Sequence, residues 1–542
     1  MNILFINPSG MPYREQEDFL NKSSIMRVPS FSMPLGLIDI AAYLKKQLDN
    51  IHIDIIDIGC DLYSIYVNRE ETPPMSMESF IESELNSINY RPDIVGISIM
   101  YSTSYKSSVQ IAGMVKQKWD DIKVICGGNH ATNFVKNLLL NPNIDYVLRG
   151  EGELSFTEFI KKVKNGENNI NVFGVIDKKK LKNNSGELSP MIQELDDIPI
   201  PDFDLLNTKA YKETVGASVM FSRGCPFHCT FCAAHTVHGR KIRYKSNDRI
   251  MEELNLLTNH YNFECIFIED DLFAGNKKRF LDLAKRITSI EKLPVFRLPQ
   301  GLSVAMLDEE IIDAMVEMKI VEAALAIESG SEYTQKHIIK KNVSLSKAQQ
   351  ILEYFRKKDF AITVNFIFGF PNESKELMQE SIDFIKSIDV DWIYIMHAIP
   401  LPGSEMYQQL ISTGVIDPDK FDCDSIRFGL RKYDTPEITA GELEKLTYDL
   451  NIDCNFFNNI NVKHGRYERA IEFFTNRIIE PYPFHIVGYY CRGEVYLELN
   501  NEEKAILDFK ECVKMIRTNK ESQRLFNCYG AKMPHLRKYM KG

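Results

Sequence analysis

The feature that most constrains this chain is an alternation of two periodicities. Residues 2–7 form a short apolar run that ends in the turn signal Asn7-Pro8-Ser9-Gly10. Residues 35–48 then carry Leu37, Ile38, Ala41, Leu44 and Leu48 at helical spacing. Residues 51–58 are rich in β-branched side chains, residues 77–85 return to helical spacing, and residues 93–100 are apolar again. A helix over 109–119 and short strands at 123–126 and 144–148 complete the first third. Strands that alternate with helices predict a parallel sheet covered by helices on both faces. In such sheets ligands bind beyond the carboxyl ends of the strands.

The 542 residues leave room for three or four domains of roughly 100 to 200 residues each. Apolar residues at 44% and charged residues at 26% are ordinary for a globular protein and exclude collagen, coiled coil and wholesale disorder. Lys and Arg number 65 against 75 Asp and Glu, and the net charge of -10 is the wrong sign for a general phosphate-backbone binder, so nucleic acid is not expected as a partner. No stretch approaches the roughly 18 to 20 uncharged apolar residues of a membrane span. The first residues show neither a basic leader nor a small-residue cleavage site. Eleven cysteines, an odd number spread over a long chain, do not read as a disulfide framework. A cytoplasmic protein with reduced thiols is expected.

Three loops at strand ends stand out: Asn7-Pro8-Ser9-Gly10, residues 98–104 with Ser98, Tyr101 and Ser102, and Gly127-Gly128-Asn129-His130. Paired glycines let backbone approach a ligand closely, and serines offer hydroxyls; ordinary turns would use the same residues. After a polar stretch, residues 195–206 form a proline-punctuated linker, and a strand over 218–221 runs into Cys225-Pro226-Phe227-His228-Cys229-Thr230-Phe231-Cys232. Thiolates so close on one loop can converge on one metal centre. Zinc would want a fourth ligand, for which His228, His235 and His238 are available. A cubane held by three thiolates keeps one iron open for a substrate or cofactor.

The x3 then x2 spacing with an aromatic before the last Cys resembles the signature of the radical S-adenosylmethionine (SAM) superfamily. Further landmarks in the family order follow. They are residues 240–246 (RKIRYKS), Asp270-Asp271-Leu272-Phe273, Glu328-Ser329-Gly330, Gly369-Phe370-Pro371, and Pro400-Leu401-Pro402-Gly403. Taken singly, Asp270-Asp271 could cap a helix, and Arg243 could orient a carboxylate or form a surface salt bridge. The first 150 residues, with Pro34-Leu35-Gly36-Leu37, the three strand-end loops and Arg149-Gly150-Glu151-Gly152-Glu153, resemble the cobalamin-binding domain that precedes many of these enzymes.

The resemblance implies an α/β chain with a doubly wound, Rossmann-like cobalamin-binding domain over 1–160, a linker over 161–212, a partial (β/α)6 radical SAM barrel over 213–430 and an α-helical domain over 431–542. It implies a 4Fe-4S cluster on Cys225, Cys229 and Cys232, and SAM contacts from Glu328, Ser329, Gly369, Pro371 and Phe231. Cobalamin contacts are expected from Ser98, Tyr101, Gly127, Gly128, Asn129 and Gly10. Many cobalamin carriers hold cobalt through the His of an Asp-x-His-x-x-Gly loop. The stretch read as equivalent, Asp57-Ile58-Gly59-Cys60-Asp61, has none, and neither His52 nor His130 is expected to replace it.

The implied chemistry is reductive cleavage of SAM to a 5′-deoxyadenosyl radical, with a methyl group delivered through cobalamin to an unactivated carbon, or phosphorus, of a small molecule or peptide. An electron donor such as flavodoxin or ferredoxin is implied, and no catalytic residue beyond the cluster is assigned. A cyclisation, rearrangement or oxidation without methyl transfer shares all these motifs. A zinc-filled, non-enzymatic scaffold is the reading from another class.

Beyond residue 430 the alternation stops. Residues 441–454 have helical spacing, and Gly465-Arg466-Tyr467-Glu468-Arg469-Ala470 is echoed about 35 positions later by Asn500-Asn501-Glu502-Glu503-Lys504-Ala505. Gly493, Tyr496, Ala505 and Phe509 match the small and aromatic positions of a tetratricopeptide repeat, to which this segment is similar over one repeat and half of another. Since about three repeats are needed for a free-standing solenoid, the tail is expected to pack on the barrel or to offer a protein contact.

Overall fold

The computed structural model describes residues 1–22, 29, 31–167, 170–182, 186–341, 343–423, 426 and 429–540. They form two compact units: Met1–Val321 with Ile339–Lys341 and Ile399–Tyr433, and Glu322–Ile338 with Asn342–Ala398 and Asp434–Gly542. The division falls inside the 213–430 stretch.

The first unit opens with strands β1 (Asn2–Asn7), β2 (His52–Asp57), β3 (Ile94–Ser98), β4 (Lys123–Gly127), β5 (Tyr146–Leu148) and β6 (Val175–Ile176) in one sheet of order β2-β1-β3-β4-β5-β6. All neighbours are parallel except the β5–β6 pair. Alternate residues feed two cores: Leu4, Ile6, Val95, Ile97 and Val124 on one face, Ile3, Phe5, Ile94 and Ile125 on the other. Burial on both faces is why these strands read as unbroken apolar runs. The chain order reverses between β1 and β3, so the topological switch point lies there.

The stretch 57–61, read from sequence as the equivalent of the cobalt-ligating loop, lies away from that switch point. It follows β2, an edge strand, and begins the helix Ile58–Val67. Asp57 accepts hydrogen bonds there from Asn7 Nδ2 at 3.0 Å and from the Tyr211 hydroxyl. A cavity of about 410 Å³ beside this edge is lined by Asp54, Asp57, Cys60, Asp61 and Glu84, away from the switch point. The loop that stands at the switch point after the first strand is Asn7–Gly10.

The proline-punctuated linker is packed rather than a free tether. Leu195 and Ile198 join Ile192 in a small core against Tyr43 and Leu154. Then come β7 (Ala217–Val219), β8 (Ser222–Arg223), β9 (Arg243–Tyr244), β10 (Cys265–Ile268) and β11 (Val295–Arg297). β11-β10-β7 form a parallel sheet and β8–β9 an antiparallel hairpin. The strand expected over 218–221 breaks into β7 and β8 because the Phe221 N–H donates to the Asp270 carboxylate at 2.6 Å instead of to a strand partner.

In the second unit β12 (Glu322–Glu328), β13 (Ala361–Phe368) and β14 (Trp392–His397) form a parallel sheet in that order. The helical tail packs on β14: Trp392 stacks with Phe473 at 6.1 Å and meets Phe456 edge-on at 5.6 Å. Within the tail, helices Ile486–Glu498 and Glu502–Thr518 pair as the repeat-like pattern requires. A Cβ on Gly493 would lie 2.6 Å from the Phe509 ring, and Ala505 is fully buried.

Candidate active site

The hairpin β8–β9 delivers the three-cysteine loop. Gly224 has φ +97°, and a Cβ there would sit 2.5 Å from the Lys241 carbonyl oxygen, so this approach demands glycine. The Gly224 N–H donates to Asp271 at 2.9 Å, and Ser222 Oγ donates to Asp270 at 2.5 Å. The Asp270-Asp271 pair thus holds the chain that enters the loop. Further on, the Cys225 N–H donates to the Gly239 carbonyl at 3.3 Å and the Thr230 N–H to that of Ile339 at 3.0 Å. The Arg240 guanidinium donates to the Phe227 carbonyl.

Cys225, Cys229 and Cys232 are in no disulfide and are half-buried, as is Phe231 beside them. Burial pushes the thiols of Cys225 and Cys232 up, and the Lys341 cation opposes this at both. Among the described residues no three His, Cys, Asp or Glu side chains gather as ligands of a single ion.

One residue before the loop, Arg223 is the hub of a buried ion network. It lies 2.8 Å from Asp39, 2.7 Å from Glu153 and 3.5 Å from Glu151. Arg243, on β9, donates to both carboxylate oxygens of Glu151, and His238 Nδ1 lies 2.8 Å from it. Burial alone would raise the Glu151 carboxyl, but hydrogen bonds from His238 and Arg243 and the charge of Arg223 hold it at about 2. Asp39 lies on the helix Leu35–Gln47 and Glu153 opens the helix Glu153–Lys164, so the doubly wound sheet and the cysteine hairpin share one set of charges. Arg243 is therefore a buried partner of Glu151 and not a surface salt bridge.

The sequence-selected loops of the first sheet do meet at the switch point. Ser98 is the cross-strand neighbour of Gly127, and the Ile99 N–H donates to the Gly127 carbonyl at 2.7 Å. Gly128 has φ +105°, where a Cβ would lie 2.7 Å from the Ile99 oxygen. Asn129 begins the next helix, and Gly10 lies under the Tyr101 ring. Met100 and Tyr101 are 46% and 52% exposed, an apolar surface beside these loops. His130 is engaged at both ring nitrogens, with Ser102 Oγ at 3.0 Å and Cys423 Sγ at 3.9 Å, and burial lowers its pKa to about 3. His52 is exposed at the opposite end of its strand.

In the second unit Glu328 ends β12 with φ +71° and is buried. Gln335 Nε2 donates to the carbonyls of Ile327 and Ser329 at 2.6 and 2.7 Å, and Ser329 Oγ lies 3.0 Å from Ser381 Oγ. Gly369, with φ +81°, follows β13, and its N–H donates to Glu373 at 2.8 Å; Pro371 is two residues on. Glu328, Ser329, Gly369 and Pro371 thus share the carboxyl end of one sheet.

Residues 219–385 match the radical SAM superfamily and residues 25–160 the B12 binding domain. A protein of Pyrococcus horikoshii named as an uncharacterised methyltransferase is 33% identical over 402 residues, covering 73% of this chain and 82% of the relative. The chain belongs to the cobalamin-dependent radical SAM enzymes. Cytidylyl-2-hydroxyethylphosphonate methyltransferase of Streptomyces wedmorensis is 28% identical over 77% of the chain and 83% of its own length.

Among solved structures, the radical SAM methyltransferase TsrM of Kitasatospora setae, with cobalamin and a [4Fe-4S] cluster bound, superposes at TM-score 0.59, with 14% identity over 76% of this chain and 75% of that one. The cobalamin-dependent radical enzyme OxsB superposes at 0.63, with 16% identity over 99% of this chain and 76% of that one. They bear out the fold class: a doubly wound cobalamin-type domain, a radical SAM barrel and a helical C-terminal region. This radical SAM enzyme has the cofactor set of its family, a 4Fe-4S cluster, SAM and cobalamin, and its activity is that of a cobalamin-dependent methyltransferase. No helix among the described residues is long and apolar enough to cross a membrane.

What sequence reasoning missed is the partner set of the loop. Arg223, Asp39 and Glu153 carry no spacing signal, since Arg223 and Asp39 are 184 positions apart.

Proposed function

We propose that this enzyme methylates an unactivated carbon, or phosphorus, of a small molecule or peptide. The observation that carries the reading is that one compact unit holds both the three-thiol loop and a switch point with the cobalamin-type loops, tied by the Arg223 network and by Asn133 Nδ2 to Thr236 Oγ1 at 2.7 Å. When bound, the cluster, SAM and cobalamin would supply hydrogen-atom abstraction and a transferable methyl group.

The chain's own residues bind and orient. Cys225, Cys229 and Cys232 hold iron, losing their thiol protons as they do. The buried Glu328-Ser329 corner, the Gly369-Pro371 turn and Phe231 contact SAM. Gly10, Ser98, Tyr101, Gly127, Gly128 and Asn129 would hold cobalamin, and the apolar side chains of Tyr101 and Met100 would exclude water beside it. His130, engaged by Ser102 and Cys423 at both ring nitrogens, would not serve as a ligand to bound cobalamin.

The division into 1–160, 161–212, 213–430 and 431–542 is kept as the functional one. A flavodoxin or ferredoxin supplies electrons, and the tail offers a surface for a protein partner. Eleven cysteines, none of them in a disulfide, suit a reducing cytoplasm.

The test is anaerobic purification and turnover. About four irons per chain, bound cobalamin, and formation of both S-adenosylhomocysteine and 5′-deoxyadenosine are expected. Deoxyadenosine without S-adenosylhomocysteine would mean a cyclisation or oxidation instead, and one zinc with no iron would sink the enzymatic reading.

A further inference from the structure

A carboxylate with no counter-ion among the described residues stands at the mouth of β10. Glu269 follows that strand directly, and the next two residues are the aspartates that hold the cysteine loop. Cys265, Phe267 and Glu269 share the half-open face of β10, opposite the buried Ile266 and Ile268. Glu269 Oε1 accepts from Ser218 Oγ at 3.3 Å, and Oε2 accepts from Gln300 Nε2 at 2.8 Å. Both partners are neutral, and among the described residues no cation perturbs the carboxyl, whose pKa is raised chiefly by burial.

The switch-point face reaches the same place. The Tyr101 hydroxyl lies close to Ser32 and feels the Glu269 charge. The sulfur of the next residue, Met33, accepts the Ser218 N–H at 3.4 Å. Tyr101, residues 32–33, Ser218 and Glu269 are therefore one continuous rim between the cobalamin floor and the chain that enters the cysteine loop.

A partly desolvated carboxylate with only neutral donors is an unfavourable arrangement, and a ligand cation relieves it. Charge-assisted hydrogen bonds are about twice as strong as neutral ones. We propose that Glu269 is the specificity-determining contact of the substrate, and that the substrate presents a cationic nitrogen, an ammonium or a guanidinium, to it. The inference rests on the methyl-transfer reading only in taking this rim as the substrate's place.

The test uses the full chain, loaded with iron, SAM and cobalamin and left unreduced so that nothing turns over. Benzylammonium and benzyl alcohol, alike in size and different in charge, are titrated by ligand-observed NMR. The wild-type enzyme is expected to bind the ammonium about 10-fold more tightly. Glu269→Gln is expected to abolish that preference while iron and cobalamin content stay unchanged, and Glu269→Asp to keep part of it. Equal binding of the two probes to the wild type, or a preference that survives Glu269→Gln, would overturn the proposal. Iron and cobalamin content score the methyl-transfer reading separately on the same samples, so the two can fail independently.

Discussion

Glu151 and Glu269 are carboxylates beside strand ends of the same compact unit, and the chain treats them in opposite ways. Glu151 is buried with two guanidinium groups and an imidazole around it and is held ionised down to about 2. Glu269 sits on a half-open face with a serine and a glutamine, and its carboxyl is pushed up. Charges that belong to the scaffold are neutralised within the chain; the charge at the mouth is left for something that arrives. The difference separates side chains that hold the cysteine loop from one that faces the reaction space.

The widest break is to remove what both carboxylates serve. Cys229→Ala takes away one of three iron ligands, and reductive cleavage of SAM is expected to fall by at least about 10³-fold, with iron content dropping in parallel. The ion network should survive this change, so the urea midpoint of the variant is expected to stay close to that of the wild-type protein stripped of metal.

Next in size is the network itself. Arg243→Met leaves Glu151 buried with one guanidinium fewer, and breaking a buried pair in this way costs about 3–5 kcal/mol. Urea denaturation of the wild type and the variant measures it. Adding Glu151→Gln to Arg243→Met is expected to recover part of the loss, because the stranded charge goes with its partner. A loss below about 1 kcal/mol for Arg243→Met would mean that the network is not structural, and the contrast with Glu269 would collapse.

The strands and the thiol loop were legible in the sequence because their signals are local. Trp392–His397 appears where its apolar run lies, and three cysteines within one loop need no fold to be seen together. Val295–Arg297 was missed because three residues carry no period. That the 57–61 stretch follows an edge strand was not legible, because sequence does not reveal which strand is central; only the pairing of β1 with both β2 and β3 does. Arg223 and Glu269 were invisible for a related reason. Each is one charge among 65 basic or 75 acidic residues, and its meaning lies in partners brought from far along the chain, or in their absence.

The smallest effect is the sharpest test of the comparison, because it predicts opposite slopes with pH. The Glu151 carboxyl is lowered on folding, so its contribution is fully present above the unfolded carboxylate range of about 4.3 and is lost as pH falls toward about 2. The stability deficit of Glu151→Gln should therefore shrink as pH drops through that window. The Glu269 carboxyl is raised on folding, so its contribution is present below the unfolded range and is lost as pH rises through the folded value. Glutamine carries no such penalty, and Glu269→Gln should be neutral or stabilising by less than about 1 kcal/mol near pH 8, with the gain fading on acidification. Denaturant titrations of both variants between pH 3 and pH 8, a range set by these shifts, give the two slopes. Slopes of the same sign would mean that Glu269 is satisfied within the chain as Glu151 is, and that nothing at the mouth of β10 waits for a cation.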